Sequence, residues 1–280
     1  MLPDPDLIAR SVSAETGLPF TGRRLPGGGA EPEIELTPAG HSASQTFVLT
    51  TRIGWRSLVV KLLPGAYSAD LVREMGQADE TGRAVFAAVL SASVEAGAAV
   101  ELTVNGQRMS WDDGALWDAP WTSLILELRK AQLPLQSGDP KQDRVLIEAW
   151  TGRVAAAVVS LLPLEGVEPV DPELIGFPEG AVITVQANRY ERDRRNRAAA
   201  LAIHGYGCKA CGIVLSDVYG EAAKGFIEVH HLTQVSTLGE GYVMDPRTDL
   251  APLCPNCHGI AHRRTPPYSI AELQGLMGKD

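Results

Sequence analysis

Two pairs of cysteines carry the clearest chemistry in the chain: Cys208-Lys-Ala-Cys211 and Cys254-Pro-Asn-Cys257. A Cys-x-x-Cys turn sets both sulfurs on one side of a tight knuckle. Two knuckles complete a tetrahedral, closed four-cysteine site for structural Zn2+. A redox reading is disfavoured, because two matched pairs stand here without a βαβ context. A closed site has no open coordination position, so this zinc would hold a fold together and not react. It would do so for a domain of about 90 residues whose core is thin.

Histidines gather around the second knuckle. His258 and His262 are spaced i, i+4, which puts both imidazoles on one face of a short helix. His230-His231 ends an expected strand, where successive side chains point to opposite faces. One of the two can therefore face a metal with His258, and the other a substrate water. His41 and His204 read as ordinary satisfied residues.

The order Glu228-Val-His230-His231, then Asp249-Leu-Ala-Pro-Leu-Cys254-Pro-Asn-Cys257-His258-Gly-Ile-Ala-His262, resembles an HNH endonuclease of the ββα-metal fold with a four-cysteine zinc. The nearest look-alikes are the McrA-like HNH restriction nucleases. The resemblance covers roughly residues 175–275, about a third of the chain. It implies that His231 is the general base that takes a proton from water, for which its near-neutral pKa suits it. It implies that His230 and His258 hold a catalytic divalent ion, with His262 as a third ligand or phosphate contact. Nitrogen ligands favour Zn2+, Ni2+, Co2+ or Mn2+ over Mg2+, which is nonetheless abundant in cells. One position departs from the family pattern: Asp249 stands where Asn is usual. It is expected to orient the loop that carries His231, accepting hydrogen bonds but donating none.

An arginine run precedes the first knuckle. Residues 188–197 hold five arginines, and a helix is expected from about Arg192 to His204, stopped by Gly205. Arg192 and Arg195 share one helical face, and Arg194 and Arg197 another, placed to contact phosphates. Arg263 and Arg264, just past His262, are weaker candidates of the same kind.

The elements that must position these residues form an α+β chain. Pro5–Thr16 reads as a helix followed by a loose loop. Gln45–Thr51 and Trp55–Leu63 form a hairpin, and Ala69–Ala96 is helical with breaks at Gly76 and Gly82. Ala98–Val104 and Arg108–Trp111 pair around Asn105-Gly106, the strongest two-residue turn signal. Trp121–Arg129 is a strand, and Asp143–Leu162 an alanine-rich helix. The expected organisation is a mostly antiparallel recognition or dimerisation domain over 1–165, a linker over 166–187 with a short strand at Val182–Gln186, and the HNH domain over 188–280. Within the last domain, Val214–Val218 and Gly225–Val229 are expected as strands, with Asp249–Leu253 leading to the second knuckle.

Bulk properties fit this division. The chain has 280 residues, a net charge of −9 and 45% hydrophobic residues, which describes a globular protein of two domains. Residues 1–187 hold 14 basic and 24 acidic residues, a net of −10; residues 188–280 hold 11 and 10, a net of +1. The acidity therefore belongs to the N-terminal domain, where it would limit non-specific DNA binding. No secretory pattern or membrane-length apolar run is present, so a cytoplasmic location is expected. Five tryptophans (Trp55, Trp111, Trp117, Trp121, Trp150) read chiefly as packing residues, with a pocket for a flipped base as the other use.

The expected function is a metal-dependent DNA endonuclease restricting modified or foreign DNA. A homodimer is expected, because cutting a duplex takes two sites. A non-catalytic zinc module that binds DNA, or a toxin-like or RNA-targeting nuclease, are the alternatives.

Overall fold

The computed structural model describes residues 4–25, 31–135, 139–162, 194–233 and 242–278. Arg192 and the whole of the expected linker, with its expected strand Val182–Gln186, lie outside these residues.

The larger unit is built on a seven-stranded antiparallel sheet. Its strands are β1 (Phe20–Leu25), β2 (Glu33–Pro38), β3 (Phe47–Gly54), β4 (Ser57–Pro64), β5 (Ala98–Val104), β6 (Gln107–Met109) and β7 (Leu124–Lys130). They lie in the order β1-β2-β3-β4-β7-β5-β6. Side chains alternate as a half-covered sheet requires. Leu58, Val60 and Leu62 of β4 are buried, while Lys61 faces the open side and pairs with Glu127 of β7 at 2.9 Å. The expected hairpins form with small shifts. The Asn105-Gly106 turn has both residues at positive φ, 53° and 75°, which suits a two-residue hairpin. The expected loop after the first helix is corrected, because Phe20–Leu25 pairs with β2 in register Phe20↔Pro38. Pro19, Gly22 and the two arginines mask the strand in the sequence.

Helices cover one face of the sheet. They are α1 (Pro5–Thr16), α3 (Glu80–Glu95) and α4 (Pro140–Ser160), with the short α2 (Ala69–Met75) before α3. Each long helix opens on an aspartate, Asp4, Asp79 or Asp139, whose carboxylate accepts a first-turn N–H. Gly76 helps separate α2 from α3, whereas Gly82 lies inside α3, against the Ser160 carbonyl of α4. Four tryptophans serve this core: Trp121 and Trp150 are buried, Trp111 packs at the margin, and Trp117 stacks on Trp121 at 5.0 Å. Trp55 is 72% exposed, at the tip of the β3–β4 hairpin.

Helix α5 (Arg194–His204) links this unit to a smaller one. Its Ala198, Ala199 and Ala202 belong to the large core, while Leu201 belongs to the small one. It stops at Gly205, whose φ of 73° receives the chain at low steric cost. The smaller unit then holds α6 (Leu215–Tyr219), a two-stranded sheet of β8 (Glu228–His231) and β9 (Leu250–Leu253), then α7 (Pro255–Ala261) and α8 (Ile270–Leu276). The expected strand over Val214–Val218 is corrected to α6. That segment buries no residue of the helix and pairs with no described strand, so its β-branched residues gain nothing from extension.

No helix among the described residues is long and apolar enough to cross a membrane.

Candidate metal centre

The sulfur atoms of Cys208, Cys211, Cys254 and Cys257 all lie within 4.8 Å of one another. Cys211 and Cys254 are 3.8 Å apart, sulfur to sulfur. Zn–S bonds of about 2.3 Å in a tetrahedron separate the sulfurs by a similar distance, ~3.8 Å. The site can therefore hold a structural zinc. Backbone bonds build its two halves. In the first knuckle the N–H of Cys208 donates to Ile213 and that of Gly212 to Cys208. The N–H of Lys209 reaches the Pro252 carbonyl at 2.9 Å, tying this knuckle to β9. The second knuckle forms where β9 becomes α7, with Cys254 at the N-cap and Pro255 in the first turn. Burial opposes ionisation of Cys208, but N–H donors from Cys211, Cys254 and Ala210 bring its thiol down to about 7. Burial and the neighbouring sulfurs raise Cys257. Four sulfurs in one place cannot all ionise readily without a cation among them.

One residue past the second knuckle, α7 turns a second donor set toward β8. The ligand atoms of His230, His258 and His262 lie within 4.8 Å of one another. The three rings meet edge to face at 4.7–5.3 Å between centroids. The Nε2 atoms of His258 and His262 are 3.2 Å apart. Nδ1 of His258 meets the Glu228 carboxylate, which turns Nε2 inward. Nδ1 of His230 is buried with no hydrogen-bond partner among the described residues. Burial lowers the His230 pKa to about 4, reinforced by the other histidines, so this ring is neutral near pH 7. Three clustered imidazoles with a carboxylate behind one of them are the donor set a divalent ion needs. Exposure rises across the set, from buried His230 to exposed His262, so one side opens to solvent.

His231 follows His230 on β8 and is only half-buried. It stands next to the cluster on the other side of the strand, the division of labour its spacing implies. Asp249 lies just before β9. Its Oδ2 accepts the Tyr242 hydroxyl and the Asp245 N–H, each at 2.8 Å. Its own carbonyl accepts the Leu232 N–H, directly after His231. The carboxylate thus orders residues 242–249, and the main chain of Asp249 steadies the end of β8. Glu228 was not singled out in the sequence as a site residue; its i, i+2 spacing to His230 on one strand is the signal that could have found it.

The arginines divide. Arg195 lies on the Asp79 carboxylate, with Nη1 3.0 Å from each oxygen. Arg197 donates to the carbonyls of Ile227 and Gly225 at 2.9 and 3.0 Å. Arg263 is exposed; Arg264 pairs with Glu272 and covers the Tyr268 ring. Arg194 heads α5. His204 takes the ordinary role expected of it, with Nε2 3.0 Å from the Pro246 carbonyl.

No protein-family model, curated protein or solved structure matches the chain.

Proposed function

We propose that the chain is a metal-dependent DNA endonuclease of the HNH class, acting as a restriction enzyme on modified or foreign DNA. One observation carries the reading: three histidines converge beside a four-cysteine knuckle pair on a ββα unit, with a fourth histidine adjacent. His230, His258 and His262 would hold a divalent ion, and Glu228 would fix the orientation of His258. That ion, when bound, supplies a Lewis acid for the scissile phosphate.

The chain's own residues do the remaining work. His231 takes a proton from water at a ring nitrogen as the water oxygen attacks phosphorus. The bond to O3′ breaks, and the departing oxygen is protonated from solvent, leaving a 5′-phosphate and a 3′-hydroxyl. Asp249 keeps the loop beside His231 in place. The exposed Arg263, one residue past His262, is placed for a flanking phosphate. A homodimer would bring two such sites to a duplex. A purely DNA-binding zinc module draws less support, because Arg195 and Arg197 are engaged within the chain.

The test is cleavage of unmodified, cytosine-methylated, hydroxymethylated and phosphorothioated DNA under Mn2+, Ni2+, Co2+, Zn2+ and Mg2+. At least one substrate is expected to be cut, and His231→Ala to slow that cut by roughly 10^2–10^4-fold. Cleavage by the variant at the wild-type rate would remove His231 from the mechanism.

A further inference from the structure

The strand that carries His230 and the strand that leads into the helix of His258 are both entered by segments fastened to the larger unit. On the β8 side, Arg197 grips the carbonyls of Gly225 and Ile227, the residues just ahead of Glu228. Arg197 is not a surface arginine. It leaves α5 beside Ala198 and Ala199, both fully buried in the large core, and lies within electrostatic reach of buried Glu15 on α1. Lys224 adds a second tie, donating to Glu148 of α4 at 2.6 Å. On the β9 side, Arg247 pairs with Glu95 at the end of α3, two residues before Asp249.

We propose that Arg197 is a positioning residue for the histidine cluster, which makes the N-terminal domain part of the scaffold of the site and not a detachable module. The proposal rests on the reading that the three histidines hold a divalent ion. A guanidinium is a planar fork that fixes two carbonyls in one geometry, which an ammonium does not reproduce. Releasing it leaves two carbonyls short of a donor and frees the start of β8 to drift. Metal sites tolerate little drift, because each ligand must hold its distance and direction.

The experiment uses the full chain with Zn2+ on the cysteines, titrated with Co2+ and followed by the visible d–d absorption of a histidine-bound ion. Arg197→Ala is expected to weaken Co2+ binding by roughly 10-fold or more, the range for outer-shell changes. Arg197→Lys should recover part of the loss, with zinc content unchanged in both variants. Arg247→Ala, at a more exposed pair, should weaken binding by a smaller factor. With Arg197→Lys, it decides the matter if Arg197→Ala does not retain zinc. Wild-type affinity in a zinc-retaining Arg197→Ala, or in both Arg197→Lys and Arg247→Ala where Arg197→Ala loses its zinc, would overturn the proposal alone. A wild-type protein that binds no Co2+ beyond the cysteine site would overturn the metal reading, and this proposal with it.

Discussion

The two units are stabilised by different means. The larger one buries an extensive hydrocarbon core between a seven-stranded sheet and its helices. The smaller one has nine buried core residues among those described, and three of them are cysteines. A unit with so little apolar interior cannot offset its chain entropy by burial alone. The four cysteines can add the coordination energy of a structural zinc, and attachment to the larger unit adds the rest. The same short hairpin and helix that carry the second cysteine pair also present the histidines, so a zinc on the cysteines would shape the cradle of the histidine set.

Emptying the cysteine site of zinc is expected to have the largest effect. Chelation or Cys254→Ser should unfold the smaller unit, since structural zinc supplies apparent binding energies of about 10 kcal/mol or more. The large sheet should persist. Hydrogen exchange would show protection lost over residues 208–233 and 242–273 and kept over the sheet strands; uniform loss of protection would mean that the two units fold as one.

Leu126→Ala probes the opposite dependence. Leu126 is fully buried on β7, so its truncation should cost about 2–5 kcal/mol of stability, read by denaturant unfolding. Zinc content should not change under native conditions. Zinc loss would show that the large core supports the small one more directly than through α5 and its ties.

The seam itself is pH-sensitive. Burial pushes Glu15 up to about 7 from 4.5, opposed by a hydrogen bond from Tyr206 and by Arg153 and Arg197, and assisted by Glu148. Between those two values the folded chain retains a proton that the unfolded chain has released. Stability should therefore fall as pH rises through that window and level off above it. Glu15→Gln should flatten the slope, by roughly 1–3 kcal/mol over the window. Equal slopes in the two proteins would place the carboxylate in a more solvated setting than the fold gives it.

The smallest effect belongs to Asp249→Asn. An amide oxygen can still accept from Tyr242 and Asp245, so cleavage should stay within about tenfold of wild type. A larger loss would mean that the negative charge itself acts in the reaction.

Much of the site was legible because metal ligation is local in sequence. The Cys-x-x-Cys and His-x-x-x-His spacings restrict where donors can point, and alternation along a strand separates His230 from His231. For Glu228 the i, i+2 spacing to His230 gives only a shared strand face; its partner His258 lies 30 residues away and is fixed by the fold. Strand β1 was missed for a related reason. Its identity comes from pairing with β2, not from Phe20-Thr-Gly-Arg-Arg-Leu itself. The short helix α6 leaves Val218 and Tyr219 exposed and covers Leu215 only in part, so its apolar residues carry no periodicity that marks a helix.

The sequence by itself determined the two donor sets, the α+β class and most helices and hairpins, since these depend on contacts between near neighbours. The folds of both units were needed to place Arg195 and Arg197 of the arginine run. A helix of arginines and alanines can lie on DNA or on its own protein with equal local propensity. Here the alanines find the larger core, Arg195 finds Asp79, and Arg197 finds the carbonyls ahead of the histidine strand. Those partners are 28 to 116 residues away, and only the folded chain brings them within reach.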